Sequence, residues 1–292
     1  MSNEAQLTTM EMHAADALLT EQDVVFNKPS HWQLAKTDLI DGALRWRIWF
    51  MLAYQDIKLR YRRSLLGPFW LTISMAITVY SMGYLYAHLF HAELSHYYPF
   101  LVAGMLSWSL LSTIVTELTE GWTAFDSFIK QVKLPYSLYM HRIACRNLLI
   151  FFHNVLVMIP VYLIFFHEVR INLNTLLVIP GLIAIYLNTI LYGLALSMIG
   201  ARFRDISQII KSFVGVIFFV TPVMWTPDLL GSKKYLVDLN PFYAFIELIR
   251  QPLLGGTPTL KNILVATLAT LFGAFIGLKL FTRYRARIIY WI

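Results

Sequence analysis

Tyr61-Arg62-Arg63-Ser64-Leu65-Leu66-Gly67-Pro68-Phe69-Trp70 joins a basic, aromatic segment to a long apolar run with no polar linker between them. Four cations, Lys58, Arg60, Arg62 and Arg63, stand just before that run. Such a junction belongs where lipid headgroups meet hydrocarbon, because the cations hold to the headgroup side while the apolar residues enter the bilayer. It sets both the class of the chain and the direction in which it threads.

The composition agrees. Of 292 residues, 58% are hydrophobic and only 14% are charged, against about 25% charged in an ordinary soluble domain. Mean hydropathy is +0.58. A soluble protein of this length cannot hide so much apolar surface behind so little polar surface. The net charge of +7 sits at the ends of apolar runs, which suits anionic headgroups and not nucleic acid. Cys145 is the only cysteine, so no internal disulfide is available and the redox compartment is left open.

Crossing the hydrocarbon takes about 20 apolar residues as a helix. Six stretches qualify, at 68–90, 99–119, 143–166, 175–199, 206–225 and 260–281, the fifth interrupted by Pro222 and Pro227. Beyond the first 42 residues, seventeen Lys and Arg fall on one set of flanks and five (Arg170, Lys233, Lys234, Arg250 and Lys261) on the other. Positive charge marks the cytoplasmic side. The expected fold is therefore an all-α, multi-pass membrane protein of six spans with both termini cytoplasmic.

Three further segments complete the organisation. Residues 1–42 carry seven acids against Lys28 and Lys36 and read as an acidic cytosolic extension, partly disordered near the terminus. No secretory signal opens the chain. Residues 43–63 read as an amphipathic helix in the inner headgroup plane, with Trp46, Trp49, Phe50, Ala53 and Ile57 at helical spacing. The loop 120–142 holds Phe125, Phe128, Ile129 and Val132 at i, i+3, i+4 and i+7, stopped by Lys133-Leu134-Pro135. A cytosolic helix there is either a handle for another protein or a helix resting on the membrane. On the outer side, within 226–259, a dozen apolar residues between Pro241 and Pro252 are too few to span and read as a re-entrant helix. Residues 282–292 form a basic cytosolic tail.

No phosphate loop, nucleophile elbow or metal-protease motif is present, and Gly231-Ser232-Lys233-Lys234 fails the phosphate-loop spacing. The centres of the spans hold almost no ionisable residues, which argues against a proton-coupled transporter. Energy then has to arrive from outside the chain, with no catalytic, cofactor or metal site of its own. Neutral polar stripes are present: Ser74, Thr78, Ser81 and Tyr84 in the first span, and Ser109, Ser112, Thr113 and Thr116 in the second. They suit a conduit for sugars, or glue between helices, and both readings stay open. Gly273 and Gly277 form a small-residue packing motif in the last span.

The stretch Arg60 to Trp70, the turn Ala201-Arg202-Phe203-Arg204-Asp205-Ile206, the run Thr221 to Pro227 and the segment Leu239 to Arg250 together resemble type-2 ABC exporter permeases of bacterial polysaccharide. These are the O-antigen, capsule and teichoic acid exporters, and the O-antigen permeases are the nearest in pattern. The resemblance covers about 46–284. It implies a homodimer of six-span subunits with two copies of a separate ABC ATPase that holds ATP and Mg2+. It implies that Phe125, Phe128, Ile129, Val132 and Lys133 belong to a coupling helix seated in the ATPase, with Arg202, Arg204 and Asp205 as a second, smaller contact. Trp46, Trp49, Arg60, Arg62, Arg63, Gly67 and Trp70 would form an interface helix and the approach to the first span. The substrate would be a lipid-linked polysaccharide, O-antigen-like as in lipopolysaccharide, moved across the bacterial inner membrane. A type-2 exporter of drugs or lipids, and a membrane-embedded transferase acting on lipid-linked sugars, are the alternatives.

Overall fold

The computed structural model describes residues 29–67 and 69–292. The acidic stretch lies outside the described residues as far as residue 28, and so does Pro68 of the opening junction. Every regular element among the described residues is helical.

The amphipathic region is two helices, and the break between them falls inside the expected 43–63 element. α1 (His31–Leu44) starts at Ser30, whose hydroxyl accepts from the Gln33 amide while the Gln33 side chain accepts from the Ser30 amide. This reciprocal cap satisfies two of the amide groups that a helix start leaves open. Arg45, at φ −80° and ψ 39°, turns the chain into α2 (Trp46–Arg60). The final third of the expected acidic extension is thus part of the folded body. Asp38 of α1 is buried and accepts from the Tyr136 and Ser137 amides at 3.1 and 3.0 Å, while Arg285 of the tail binds the same carboxylate at 2.8 Å. One carboxylate thereby caps a helix start and ties three distant segments together.

α3 (Phe69–Leu89), α4 (Leu94–Thr119), the short α5 (Asp126–Gln131) and α6 (Tyr136–Asn154) follow. α6 continues through a tight turn into α7 (Met158–Ile164). It begins seven residues earlier than expected, because Pro135 cannot stop a helix that it precedes and Asp38 caps the start. Beyond lie α8 (Val178–Arg202), α9 (Ile206–Val220), α10 (Tyr235–Asp238), α11 (Pro241–Leu253), α12 (Leu260–Tyr284) and α13 (Ile288–Trp291). Four helical stretches are long and apolar enough to cross a membrane: Leu94–Thr119, Tyr136–Ile164, Leu173–Arg202 and Leu260–Trp291. α3 has 21 residues and reaches about 31 Å, but its Thr, Ser and Tyr content dilutes its hydropathy. α9 stops after 15 residues, at about 22 Å, short of the expected 206–225. Pro222 disfavours helix at the residue before it, and Thr221 is extended at φ −91°, ψ 133°.

α4 is the central post, with 14 of its 26 residues buried. α3 and α9 both lean on it and bury little: Val79, Gly83 and Ala87 in α3, and Val214 alone in α9. Their outward faces stay uncovered. α8 and α12 pack closely because Gly277 stands against the Leu191 carbonyl and Gly273 against the Tyr192 ring, the close contact that the small-residue motif implied. Gly200 lets α8 approach the Thr119 carbonyl in the same way.

The helix α11 is built into the body, with nine of its 13 residues buried. Asn240 caps it by accepting from the Phe242 amide at 2.9 Å and donates to Thr221 at 2.9 Å. Arg250, counted above among outer-loop cations, is fully buried. It is paired with Glu247, donates to the Pro222 carbonyl at 2.9 Å and lies 4.0 Å over the Phe100 ring. A neutralised, buried arginine has no part in charge-based orientation; Arg250 drops out of the count on one set of flanks and the paired, largely buried Arg142 and Arg146 drop out on the other, so the asymmetry stands.

Candidate functional site

The strongest polar cluster in the described residues lies at the end of the helices where the sequence concentrates its cations. α2 turns Leu52, Ala53 and Ile57 onto α6. Asp56, on the same side, receives Arg142 through two donors at 2.9 and 2.6 Å and Arg146 at 3.0 Å. Arg146 reaches Glu117 of α4 at 2.8 Å, and Asn147 donates to the same Glu117 oxygen at 2.6 Å. Arg60 stands 3.7 Å from the other Glu117 oxygen. The spacing of Arg142 and Arg146, one helical turn apart, is what places both on the face of α6 that meets α2 and α4. Their side chains are 11% and 12% exposed and that of Asp56 is 14% exposed, so the charges act in a dry setting where pairing is strong and an orphaned charge is costly.

The network extends to the loop helix. The Arg142 guanidinium lies 4.1 Å over the Phe125 ring, Phe125 stacks on Tyr139 at 5.4 Å, and Phe128 meets Tyr139 edge-on at 6.4 Å. Of the apolar stripe expected to face a partner, Phe125 and Phe128 are half-buried against Tyr139 of the chain's own α6 and Ile129 is buried, while Val132 is exposed. The open face of this loop is instead Ala124, Ser127, Lys130, Gln131, Val132 and Lys133. Amphipathic spacing identified a helix with a buried side, but it did not say whether that side faced self or partner.

A second bridge lies beside it. Glu120, just past the end of α4, accepts from Lys211 of α9 at 2.7 Å and from the Ser207 hydroxyl. The hydrogen bond from Lys211, then that from Ser207, hold the Glu120 carboxyl below its ordinary value. Arg202, Arg204 and Asp205 are exposed on the α8–α9 turn. Trp46, Arg60, Arg62, Arg63 and Trp70 are exposed as well, while Trp49 is half-buried and stacks on His141 at 5.6 Å. Gly67 adopts a positive φ of 55° at the α2–α3 connection.

The two hydroxyl stripes separate. Ser74, Thr78, Ser81 and Tyr84 form one exposed face of α3. Ser109, Ser112, Thr113 and Thr116 are half-buried, and the last three line an open cleft of about 470 Å³ between α4 and α9, opposite Lys211 and Phe219. Thr78 donates to the Ser74 carbonyl and Thr116 to those of Ser112 and Thr113, all at 2.9 Å. These bonds stay within one helix. The inter-helix glue is made by other residues: Thr72 to the His153 carbonyl, Tyr80 to the Val157 carbonyl, Ser197 to the Leu118 carbonyl, and Asn188 to Thr270. Thr78, Ser112 and Thr116 are thus satisfied within their own helices, and the two stripes are presented outward or into a cleft. The Asp56, Glu117, Arg142, Arg146 and Asn147 cluster was missed as a site. The available signal was a single acid inside the basic α2 and arginines one turn apart at the start of an apolar helix.

Residues 47–254 match the ABC-2 type transporter family. The chain is 22% identical over 241 residues to an O-antigen export system permease protein RfbA of Klebsiella pneumoniae, covering 81% of this chain and 92% of that one. It is 21% identical over 198 residues to the protein of the same name from Myxococcus xanthus, covering 67% and 75%. With the matched region taking in α2 through α11 and all the elements that build the polar cluster and the cleft, the chain belongs to the ABC-2 type transporter family as a membrane-embedded transport subunit.

Proposed function

We propose that this chain is the permease subunit of an ATP-driven exporter that carries a lipid-linked, O-antigen-like polysaccharide across the bacterial inner membrane. The family implies an ABC ATPase partner in general terms. The further reading is a homodimer with two ATPase copies that hold ATP and Mg2+, both termini of the permease lying in the cytoplasm. The single observation that carries the polysaccharide assignment is the match along most of their length to two proteins named as O-antigen export permeases.

All six stretches act as spans in this reading, with the fifth crossing completed by the irregular segment after α9. The ATPase seats on the open face of the loop helix, chiefly Ser127, Lys130, Gln131 and Lys133, and touches Arg204 and Asp205 as a smaller second contact. Phe125, Phe128 and Ile129 then pass a push inward to Tyr139 and Arg142, and the Asp56–Arg142–Arg146–Glu117 cluster makes α2, α4 and α6 move as one body. The uncovered faces of α3 and α9 face the second copy. Ser74, Thr78, Ser81 and Tyr84, with Ser112, Thr113 and Thr116 of the cleft, line the path, where hydroxyls and an aromatic ring hydrogen-bond and stack on sugars. Hydroxyls not committed to other helices favour this use, since each oxygen keeps acceptor capacity for a passing ligand.

Purification of the tagged chain from native membranes in mild detergent tests the reading. An ABC ATPase in equal amount is the expected companion, and an ATP-dependent export defect specific to a lipid-linked polymer is expected on depletion. Recovery of the chain with no ATPase would overturn it. Accumulation of a lipid or drug with normal polymer export would replace the substrate.

A further inference from the structure

At the same end of the molecule as the polar cluster, but on the α8–α12 side, Met198 and Leu280 form the apolar floor of a cavity of about 310 Å³ that is lined by Arg202, Arg287, Tyr284 and Trp291. The two guanidiniums arrive from separate elements, Arg202 from the last residue of α8 and Arg287 from the turn after α12. Neither has an acidic partner within ion-pair distance among the described residues, whereas Arg60, Lys130, Arg142, Arg146, Lys211 and Arg285 at this end do. Both lie against rings: Arg202 is 5.4 Å from the centre of Trp291, and Arg287 is 5.7 Å from that of Tyr284. The short helix α13 that carries Trp291 is seated by the fully buried Ile288, so the aromatic wall is fixed in place. The apolar lining also takes in Ile199 and the exposed Phe203. Two guanidiniums without an acidic partner, interfacial Trp and Tyr, and an apolar floor that runs out to an exposed ring match an amphiphile with an anionic head. A soluble anion would use the cations and leave the apolar floor without purpose.

We propose that this cavity is a binding site for the phosphate-bearing headgroup of an anionic phospholipid, which forks onto Arg202 and Arg287 while its acyl chains leave over the apolar lining of Met198, Leu280 and Phe203. Arg202 therefore turns to lipid, and the α8–α9 turn leaves only Arg204 and Asp205 for a protein partner. The placement in the cytoplasmic leaflet rests on the orientation proposed above; the binding itself does not.

Native mass spectrometry of the purified full chain, with whatever ATPase accompanies it, tests the site with phosphatidylglycerol as probe and phosphatidylcholine as control. Wild type is expected to retain phosphatidylglycerol preferentially. R202Q/R287Q is expected to lose about 25-fold in affinity, at about fivefold per cation removed, while R202K/R287K keeps most of the preference through charge. K233Q/K234Q removes the same number of charges from the outer loop and is expected to behave as wild type. Equal retention of both lipids by wild type, or unchanged phosphatidylglycerol binding in R202Q/R287Q, overturns the proposal. So does loss of the ATPase from R202Q/R287Q with lipid retention unchanged, which would return Arg202 to the protein contact. None of these outcomes depends on whether polysaccharide is moved.

Discussion

Replacing Asp56 with alanine removes the acid that holds α2 to α6. Arg142 loses both of its carboxylate bonds and Arg146 loses one of two, keeping Glu117. Removing one partner of a buried pair costs about 3–5 kcal/mol when the other charge is left unpaired. The partial exposure of these arginines and the surviving Glu117 bond put the effect at the lower end, about 3 kcal/mol. For a chain of this size each kcal/mol shifts the unfolding midpoint by about 2–4 °C, so D56A is expected to lower it by about 6–12 °C in a detergent thermal-shift assay. The decisive comparison is a cycle with R142M, which removes the orphaned charge and keeps an apolar stem. If the pair acts as a unit, D56A/R142M is less damaged than the two single changes combined, by at least 1 kcal/mol. Additivity within about 0.5 kcal/mol would refute the claim that the cluster couples α2 to α6.

The remaining predictions address other joints. G277L drives a side chain into the Leu191 carbonyl and is expected to cost about 1–3 kcal/mol, read as a lowered midpoint; an unchanged midpoint would mean that α8 and α12 are not in close contact. E120Q removes a carboxylate whose folded pKa lies below its ordinary 4.5. Its stabilising effect is present above that ordinary value and disappears as pH falls through the lowered one. The wild-type advantage over E120Q is therefore expected near neutral pH, at under about 1 kcal/mol for so exposed a pair, and to vanish in strong acid. K130E/K133E changes the open face of the loop helix and is expected to abolish ATPase association with the midpoint unchanged, whereas F128D unfolds the contact with Tyr139 and lowers the midpoint. G67V places a β-branched residue at φ 55°, at a cost of about 1–2 kcal/mol, and is expected to impair transport while insertion, checked by membrane fractionation, stays normal.

Much of this architecture was legible in the residues. The junction at 61–70, the run of apolar stretches and the cation asymmetry follow from hydrophobic length and charge, which are local properties. A short helix too brief to span was readable because Pro241 and Pro252 bound a short apolar run, and it is a 13-residue helix from Pro241 to Leu253. What was not legible depends on which surfaces meet. The apolar stripe of Phe125, Phe128 and Ile129 gives the same periodicity whether it packs on Tyr139 or on another chain. Arg250 looks like a loop cation until Glu247 and Pro222 close around it. Asp38 sits in an acidic stretch that composition assigns to solvent, yet it caps α6 and pairs with a tail residue 247 positions away. The early end of α9, by contrast, had a local cause in Pro222, and the reading carried the span three residues past that proline.

In the proposed function, this chain and an ABC ATPase move a lipid-linked polysaccharide across a membrane. Sealed inverted membrane vesicles carrying both chains and the labelled polymer measure it directly, through the fraction of polymer protected from an added glycan-degrading enzyme. Protection is expected to rise with ATP and to be lost when the ATPase is made hydrolysis-deficient. Polymer that stays fully accessible with ATP, while the ATPase remains bound and active, would contradict it.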